Sequence, residues 1–276
     1  MKYFLLSIFA RTEFQPLWRM VHRVSIGGLG FGNPDSKYNG ENRFLANIAR
    51  QANSSRREGK YVVFDLGANE GDFTAEVLER IPNVEVHCFE PNPRTFKRLQ
   101  ARFAGESRVI LNELAVGDAE GTLTLYDYSG SSGSQHASLL KETFQDIYAS
   151  ETQTDSVRVI TVDTYLAEHA VSRIDFFKVD VEGLEQSVFA GMQGALASGQ
   201  VGIVQFEFNA HNAITGLTLY KIARIFKNHG LYRLLPNGIY AIKSGSLAYN
   251  PFIEIFNYSN YALIPATTPA GSAPER

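Results

Sequence analysis

From Lys60 onward, short apolar runs alternate with segments of helical spacing, and this alternation restricts the fold more than any other feature. Tyr61-Val62-Val63-Phe64-Asp65-Leu66 is β-branched, aromatic and almost wholly apolar, as expected of a strand buried on both faces. Phe73, Val77, Leu78 and Ile81 then recur at helical intervals and stop at Pro82. Val84–Phe89 reads as the second strand, Phe96, Leu99 and Phe103 as the second helix, and Arg108–Leu114 as the third strand. Gly121–Tyr128 alternates like an added strand or hairpin, and the Ser/Gly-rich stretch Ser129–Ser134 reads as a mobile loop. The second half repeats the pattern. Strands are expected at Val157–Val162, Ile174–Val179 and Val201–Phe208, and helices at Thr164–His169, Val188–Leu196 and Leu219–His229. Leu231–Leu235 and Ile239–Lys243 flank Pro236-Asn237-Gly238 and predict a C-terminal antiparallel hairpin. The fold class is therefore α/β: a doubly wound, mainly parallel, Rossmann-like sheet covered on both faces.

A chain of 276 residues can bury a full core of this kind. Residues 1–59 read as a helical and loop extension, 60–264 as the main domain, and 265–276, rich in Pro, Ala, Thr and Ser, as a disordered tail. The apolar run Tyr3–Ala10 resembles the start of a signal peptide, but it stops at Arg11 and is too short to span a bilayer. Phe9, Leu17, Trp18, Met20 and Val21 predict the apolar side of a helix packed on the domain or on a homodimer partner, with a membrane-surface helix as the weaker reading. A net charge of −3 gives no electrostatic reason to expect nucleic-acid binding. The single cysteine, Cys88, excludes an internal disulfide and a multi-cysteine zinc site, so a cytoplasmic setting is expected.

Ligands of open parallel sheets bind beyond the carboxyl ends of the strands, so the residues after each strand matter most. The first strand leads into Asp65-Leu66-Gly67-Ala68-Asn69-Glu70-Gly71-Asp72. Gly67 allows a sharp bend and close approach to a ligand, and Gly71 allows tight packing at the helix start. A dinucleotide turn would need a further glycine between them, and Glu70 and Asp72 would repel a pyrophosphate. The acidic turn suits an ammonium or sulfonium group instead, which points to S-adenosylmethionine rather than NAD. Glu90, 19 residues beyond Gly71 in Phe89-Glu90-Pro91-Asn92, stands where a carboxylate can accept both ribose hydroxyls. Ala115 and Val116, after the third strand, can place apolar groups against an adenine ring.

These segments, with Leu114-Ala115-Val116-Gly117-Asp118, Thr161-Val162-Asp163-Thr164-Tyr165-Leu166 and Ile174-Asp175-Phe176-Phe177-Lys178-Val179-Asp180-Val181-Glu182-Gly183, resemble the FkbM family of S-adenosylmethionine-dependent methyltransferases. The motifs follow in order from about Asn39-Gly40-Glu41 to Tyr261. The resemblance implies a class I methyltransferase fold and methylation of a hydroxyl, commonly on a sugar or natural product. It also places Asp180 near the transferred methyl, where it could hold or deprotonate the acceptor hydroxyl.

Lys178, Asp180 and Glu182 alternate, so on an extended strand they share one side at its mouth. After the fifth strand, Glu207, Asn209 and His211 have the same spacing. His211 is the natural general-base candidate, because its ordinary pKa is near neutrality. Asp180, His211, Glu182 and Lys178 are accordingly the expected catalytic set, and Glu207, Asn209 and His136 the expected substrate contacts. The cofactor set is Asp65, Gly67, Ala68, Asn69, Gly71, Glu90, Pro91, Asn92, Ala115 and Val116. Asp180, Glu207 and Asn209 also offer oxygen ligands for a divalent metal, although nothing in the spacing requires one and the metal-free reading is preferred. The competing readings are a nicotinamide-dependent oxidoreductase and a catalytically inactive binding module on the same fold.

Overall fold

The computed structural model describes residues 7, 9–55, 58–128, 152–243 and 253–266. Its main sheet has eight strands, β1 (Tyr61–Leu66), β2 (Val84–Phe89), β3 (Val109–Asn112), β7 (Ile174–Val179), β8 (Val201–Phe208), β9 (His229–Leu235), β10 (Gly238–Ile242) and β11 (Ser259–Pro265). Their lateral order is β10-β9-β11-β8-β7-β1-β2-β3. The order reverses between β1 and β7, which pair in parallel, so the crevice above their carboxyl ends is where a ligand is expected. Strands β3, β2, β1, β7 and β8 are mutually parallel. The predicted hairpin forms between β9 and β10.

Two strands depart from the sequence reading. β11 is inserted antiparallel between β8 and β9, pairing Tyr261 with both Phe206 and Arg233. The stretch Thr152–Ile160, β6, leaves the main sheet and joins β4 (Ala115–Val116) and β5 (Gly121–Tyr128) in a small sheet of order β4-β6-β5. The predicted loop 129–134 falls between β5 and β6 and lies outside the described residues, as do residues 267–276 of the tail.

The helices follow the apolar spacing with two corrections. The segment predicted as one helix over 188–196 is two, Glu185–Ala190 and Gln193–Ala197, broken at Gly191. A Cβ there would lie 2.0 Å from the Gly117 carbonyl oxygen, so close backbone approach separates the two helices. The helix expected over 219–229 ends at Ile225, because His229 already belongs to β9.

Both faces of the sheet are buried. Phe64, Leu66, Phe177 and Val179 pack on one side, and Val63, Val86, Cys88 and Phe176 on the other. The second side is covered in part by Phe44, Leu45, Ile48 and Ala49 of the helix Glu41–Ser54. That helix, read from sequence as part of an extension ending at 59, is thus built into the core. The helix Gln15–Gly28 behaves differently. It buries none of its residues, and Phe9, Leu17, Trp18, Met20 and Val21, expected to pack on the domain or a partner, are exposed. Among the described residues no helix is long and apolar enough to cross a membrane.

Candidate active site

Strand register brings four polar side chains into one row near the carboxyl ends of the strands. Cys88 on β2 is level with Asp65 on β1, Asp65 with Lys178 on β7, and Lys178 with Gln205 on β8. The row lies on the face covered by the helix Glu41–Ser54, whose first residue completes it: the Gln205 amide donates to Glu41 Oε1 at 2.8 Å. Lys178 Nζ donates to Asp180 Oδ2 at 2.7 Å. Burial works to lower the Lys178 pKa, but the carboxylates of Asp180, Asp65 and Glu41 outweigh it and raise it. The ammonium therefore stays charged and holds the carboxylates in place.

Beside this row is a cavity of about 350 Å³. The turn after β1 contributes Gly67, Ala68 and Asn69 to its lining. Gly67 has φ +74°, and a Cβ there would meet the Asp180 carbonyl oxygen at 1.8 Å, so this position requires glycine for both conformation and space. Gly67 and Ala68 donate their backbone N–H groups to the Phe89 carbonyl, each at 3.0 Å, which draws the turn toward the end of β2. There Glu90 accepts from the backbone N–H groups of Asn69 (2.9 Å) and Asn92 (2.8 Å). Each oxygen keeps acceptor capacity beyond that one bond. Burial pushes the Glu90 pKa up to about 7.

Asp65 is buried, and its Oδ2 accepts from the Thr74 hydroxyl at 2.7 Å. Its Oδ1 has no protein partner, an expensive state for a buried acceptor unless a ligand group supplies the donor. Burial also raises the Asp65 pKa. Leu114, Ala115, Val116, Leu125 and Phe89 provide an apolar wall.

The cavity is also lined by Glu41, Lys178, Asp180, Glu182, Glu207 and Tyr258. Burial, reinforced by the charges of Asp180 and Glu182, raises the Glu207 pKa and favours its protonated form. Burial also raises the pKa values of Glu41 and Tyr258.

Of the residues expected to hold a cofactor, Asp65, Gly67, Ala68, Asn69, Glu90, Pro91, Ala115 and Val116 line the cavity. Gly71 and Asn92 do not. Gly71 faces Phe103 and Leu99, where a Cβ would clash at 2.3 and 2.8 Å. Asn92 caps the helix Pro93–Arg102 by accepting from Arg94 N, and its amide donates to Asp127 Oδ2 at 3.0 Å. Arg94 in turn pairs with Asp155 at 2.5 Å, tying the Glu90 loop to the β5–β6 hairpin.

The acidic-turn argument also changes in detail. Glu70 is paired with Arg98 and Asp72 with Arg102, so the buried carboxylates available to a cation are Asp65 and Glu90. On the acceptor side, β7 ends at Val179. Glu182 stands in a turn at φ +51° rather than on the strand, although it still lines the cavity. His211 and Asn209 do not line it. His211 is buried behind Glu182, with Nδ1 3.2 Å from Oε2. Asn209 caps the helix Ala210–Thr215 and donates its amide to Glu207 Oε1. His136 lies outside the described residues.

Glu41 and Tyr258 are among the lining residues that sequence reasoning missed. Glu41 belonged to the stretch where the family resemblance begins, but its role depends on where its helix docks.

The sheet order, the Gly67 turn and the acid after β2 define a class I methyltransferase fold. The Methyltransferase FkbM domain family matches residues 65–233, more than half of the sequence, and the chain belongs to that family. It is 26% identical over 200 residues to the 2-O-methyltransferase NoeI of Sinorhizobium fredii, covering 70% of this chain and 82% of that one. It is 32% identical over 160 residues to the 31-O-demethyl-FK506 methyltransferase FkbM of Streptomyces tacrolimicus, covering 49% of this chain and 60% of that one. Among solved structures, the methyltransferase FkbM of Methylobacillus flagellatus aligns at 13% identity with a TM-score of 0.47 over 79% of this chain. The chain spans about half of that protein, 47%. Nothing in these matches supports the oxidoreductase alternative.

Proposed function

We propose that the chain is an S-adenosylmethionine-dependent O-methyltransferase acting on a hydroxyl of a sugar, glycan or natural product. The observation that carries this reading is a single cavity that gathers two kinds of chemistry. A buried, half-unpartnered Asp65 and a doubly anchored Glu90 line it together with the Lys178–Asp180 pair and Glu207. The names of two relatives, each specifying O-methyl transfer, support the choice of oxygen as acceptor.

The residues fit the cofactor. Glu90 would accept the ribose hydroxyls, the Ala115–Val116 wall would flank the adenine, and Asp65 Oδ1 would accept from the cationic amino-acid portion. When bound, S-adenosylmethionine supplies a methyl group activated by its sulfonium. The protein's contribution is to orient the acceptor and take its proton. Lys178 engages Oδ2 of Asp180 and leaves Oδ1 outside that contact, so Oδ1 would receive the hydroxyl proton. Glu207, whose protonated form this environment favours, would donate a hydrogen bond to a second acceptor oxygen. Glu182 would be fixed by His211 behind it, which makes His211 a positioning residue.

Titration calorimetry tests the cofactor half of this reading. S-adenosylmethionine should bind in the cavity, and Asp65→Ala should weaken it by at least tenfold. The absence of heat and of a thermal shift with S-adenosylmethionine, together with binding of NAD, would refute it.

A further inference from the structure

The helix Gln15–Gly28 presents an apolar arc that none of the described residues covers. At 100° per residue, Met20, Val24, Leu17, Val21 and Trp18 fall within one side, while Arg19, Arg23, His22 and Gln15 fall on the other. Val24 is 72% exposed and Met20 58%. Phe9 and Phe14 extend the same surface: the Phe9 ring packs against those of Phe14 and Trp18, and the Trp18 indole N–H donates to the Phe9 carbonyl at 2.7 Å. This cluster stabilises itself without being buried in the domain.

Charge selects the occupant. Within the first 30 residues, Lys2, Arg11, Arg19 and Arg23 stand against Glu13 alone, a net +3 in a chain whose total is −3. The segment is therefore basic and apolar, while the residues after it sum to −6. A second copy of the same helix would bring like charges together. An anionic surface attracts this end, repels the remainder, and accepts an apolar arc edged by arginines and an aromatic cluster.

We infer that the segment Phe9–Leu29 docks the enzyme on an anionic lipid bilayer, lying in the interface plane with Leu17, Trp18, Met20, Val21 and Val24 turned into the acyl boundary. Binding is peripheral, and the catalytic domain stays in water above the membrane. The inference does not depend on the proposed methyl transfer.

Trp18 is the only tryptophan in the chain, so fluorescence excited at the red edge, where tyrosine does not absorb, reports on this helix alone. The full-length protein is mixed with vesicles of equal parts phosphatidylglycerol and phosphatidylcholine, and separately with vesicles of phosphatidylcholine only. The expected result is a blue shift of Trp18 emission and co-sedimentation with the anionic vesicles, both reversed by high salt. The double substitution Arg19→Gln/Arg23→Gln should weaken partitioning about 30-fold, at roughly 1 kcal/mol per basic residue near such a surface. Leu17→Glu/Val24→Glu should abolish binding while leaving the thermal midpoint unchanged, because neither side chain is buried. Equal affinity for neutral vesicles, or no shift with either kind, would overturn the inference. A shift that instead grows with protein concentration without lipid, accompanied by a dimeric mass, would overturn it in favour of a second copy.

Discussion

Glu90→Gln separates charge from shape at the cofactor end of the cavity. In the wild type, both Glu90 oxygens accept backbone N–H groups, from Asn69 at 2.9 Å and Asn92 at 2.8 Å. Glutamine keeps one acceptor oxygen and turns an NH₂ group toward a backbone donor. It therefore leaves one ribose hydroxyl of the bound cofactor without its charged acceptor, worth about 2 kcal/mol, or about 30-fold in Kd. Burial adds a pH dependence. With a ligand-free pKa of about 7, roughly nine-tenths of Glu90 is ionised at pH 8 and one-tenth at pH 6. If the ribose hydroxyls require the carboxylate, wild-type affinity drops about tenfold between those values, and the gap to Glu90→Gln narrows from about 30-fold to about 3-fold. Calorimetry of both proteins at each pH is the assay, because titration of the ligand itself cancels in the comparison. A gap that stays constant from pH 8 to pH 6, or a variant that binds as tightly as wild type, would refute the role assigned to Glu90.

Other expectations follow from the same geometry. Gly67→Ala should fail to fold or lose most of its stability, since its Cβ would sit 1.8 Å from the Asp180 carbonyl oxygen, whereas Gly105→Ala, at φ +85° in open space, should cost only about 1–2 kcal/mol; thermal melts compare them. Glu90, Glu185 and Glu207 have folded pKa values raised above 4.5, so their contribution is fully present below about pH 4.5 and is lost as pH rises through about 7, 7 and 9. The ligand-free melting temperature should therefore fall from pH 5 to pH 9, and Glu207→Gln should flatten the upper part of that fall. Asp127→Ala removes the acceptor of the Asn92 amide and should cost about 1–3 kcal/mol, with weaker cofactor binding seen by calorimetry because Asn92 N also holds Glu90. Turnover should survive excess EDTA, because Asp180 is engaged by Lys178 and Asn209 by its cap and Glu207; loss of activity on chelation would return them as metal ligands.

The parallel centre of the fold was legible because β1, β2, β7 and β8 are short apolar runs with helix-spaced segments between them. β11 was not, because Ser259–Pro265 becomes a strand only through pairing with β8 and β9 on either side, a non-local condition that local pattern does not encode. The cofactor end was legible where backbone conformation dictates residue type, as at Gly67. The acceptor end was legible only in part. Extending the alternation through Glu182 assumed a straight chain, whereas the backbone turns there at φ +51° and again at Gly183, φ +104°. Glu41 and Tyr258 reach the cavity only after a remote helix and loop dock. Asn92 and Asn209 illustrate the opposite error: polar residues beside a site whose side chains cap helices.

Incubation of the purified chain with methyl-labelled S-adenosylmethionine and a panel of hydroxylated glycans and natural products tests the central claim most directly. Label should appear as an ether on one acceptor class, and Asp180→Ala should abolish it while cofactor binding persists. Strong cofactor binding with no transfer to any acceptor would identify an inactive binding module, and transfer undiminished in Asp180→Ala would contradict the assignment of the proton acceptor.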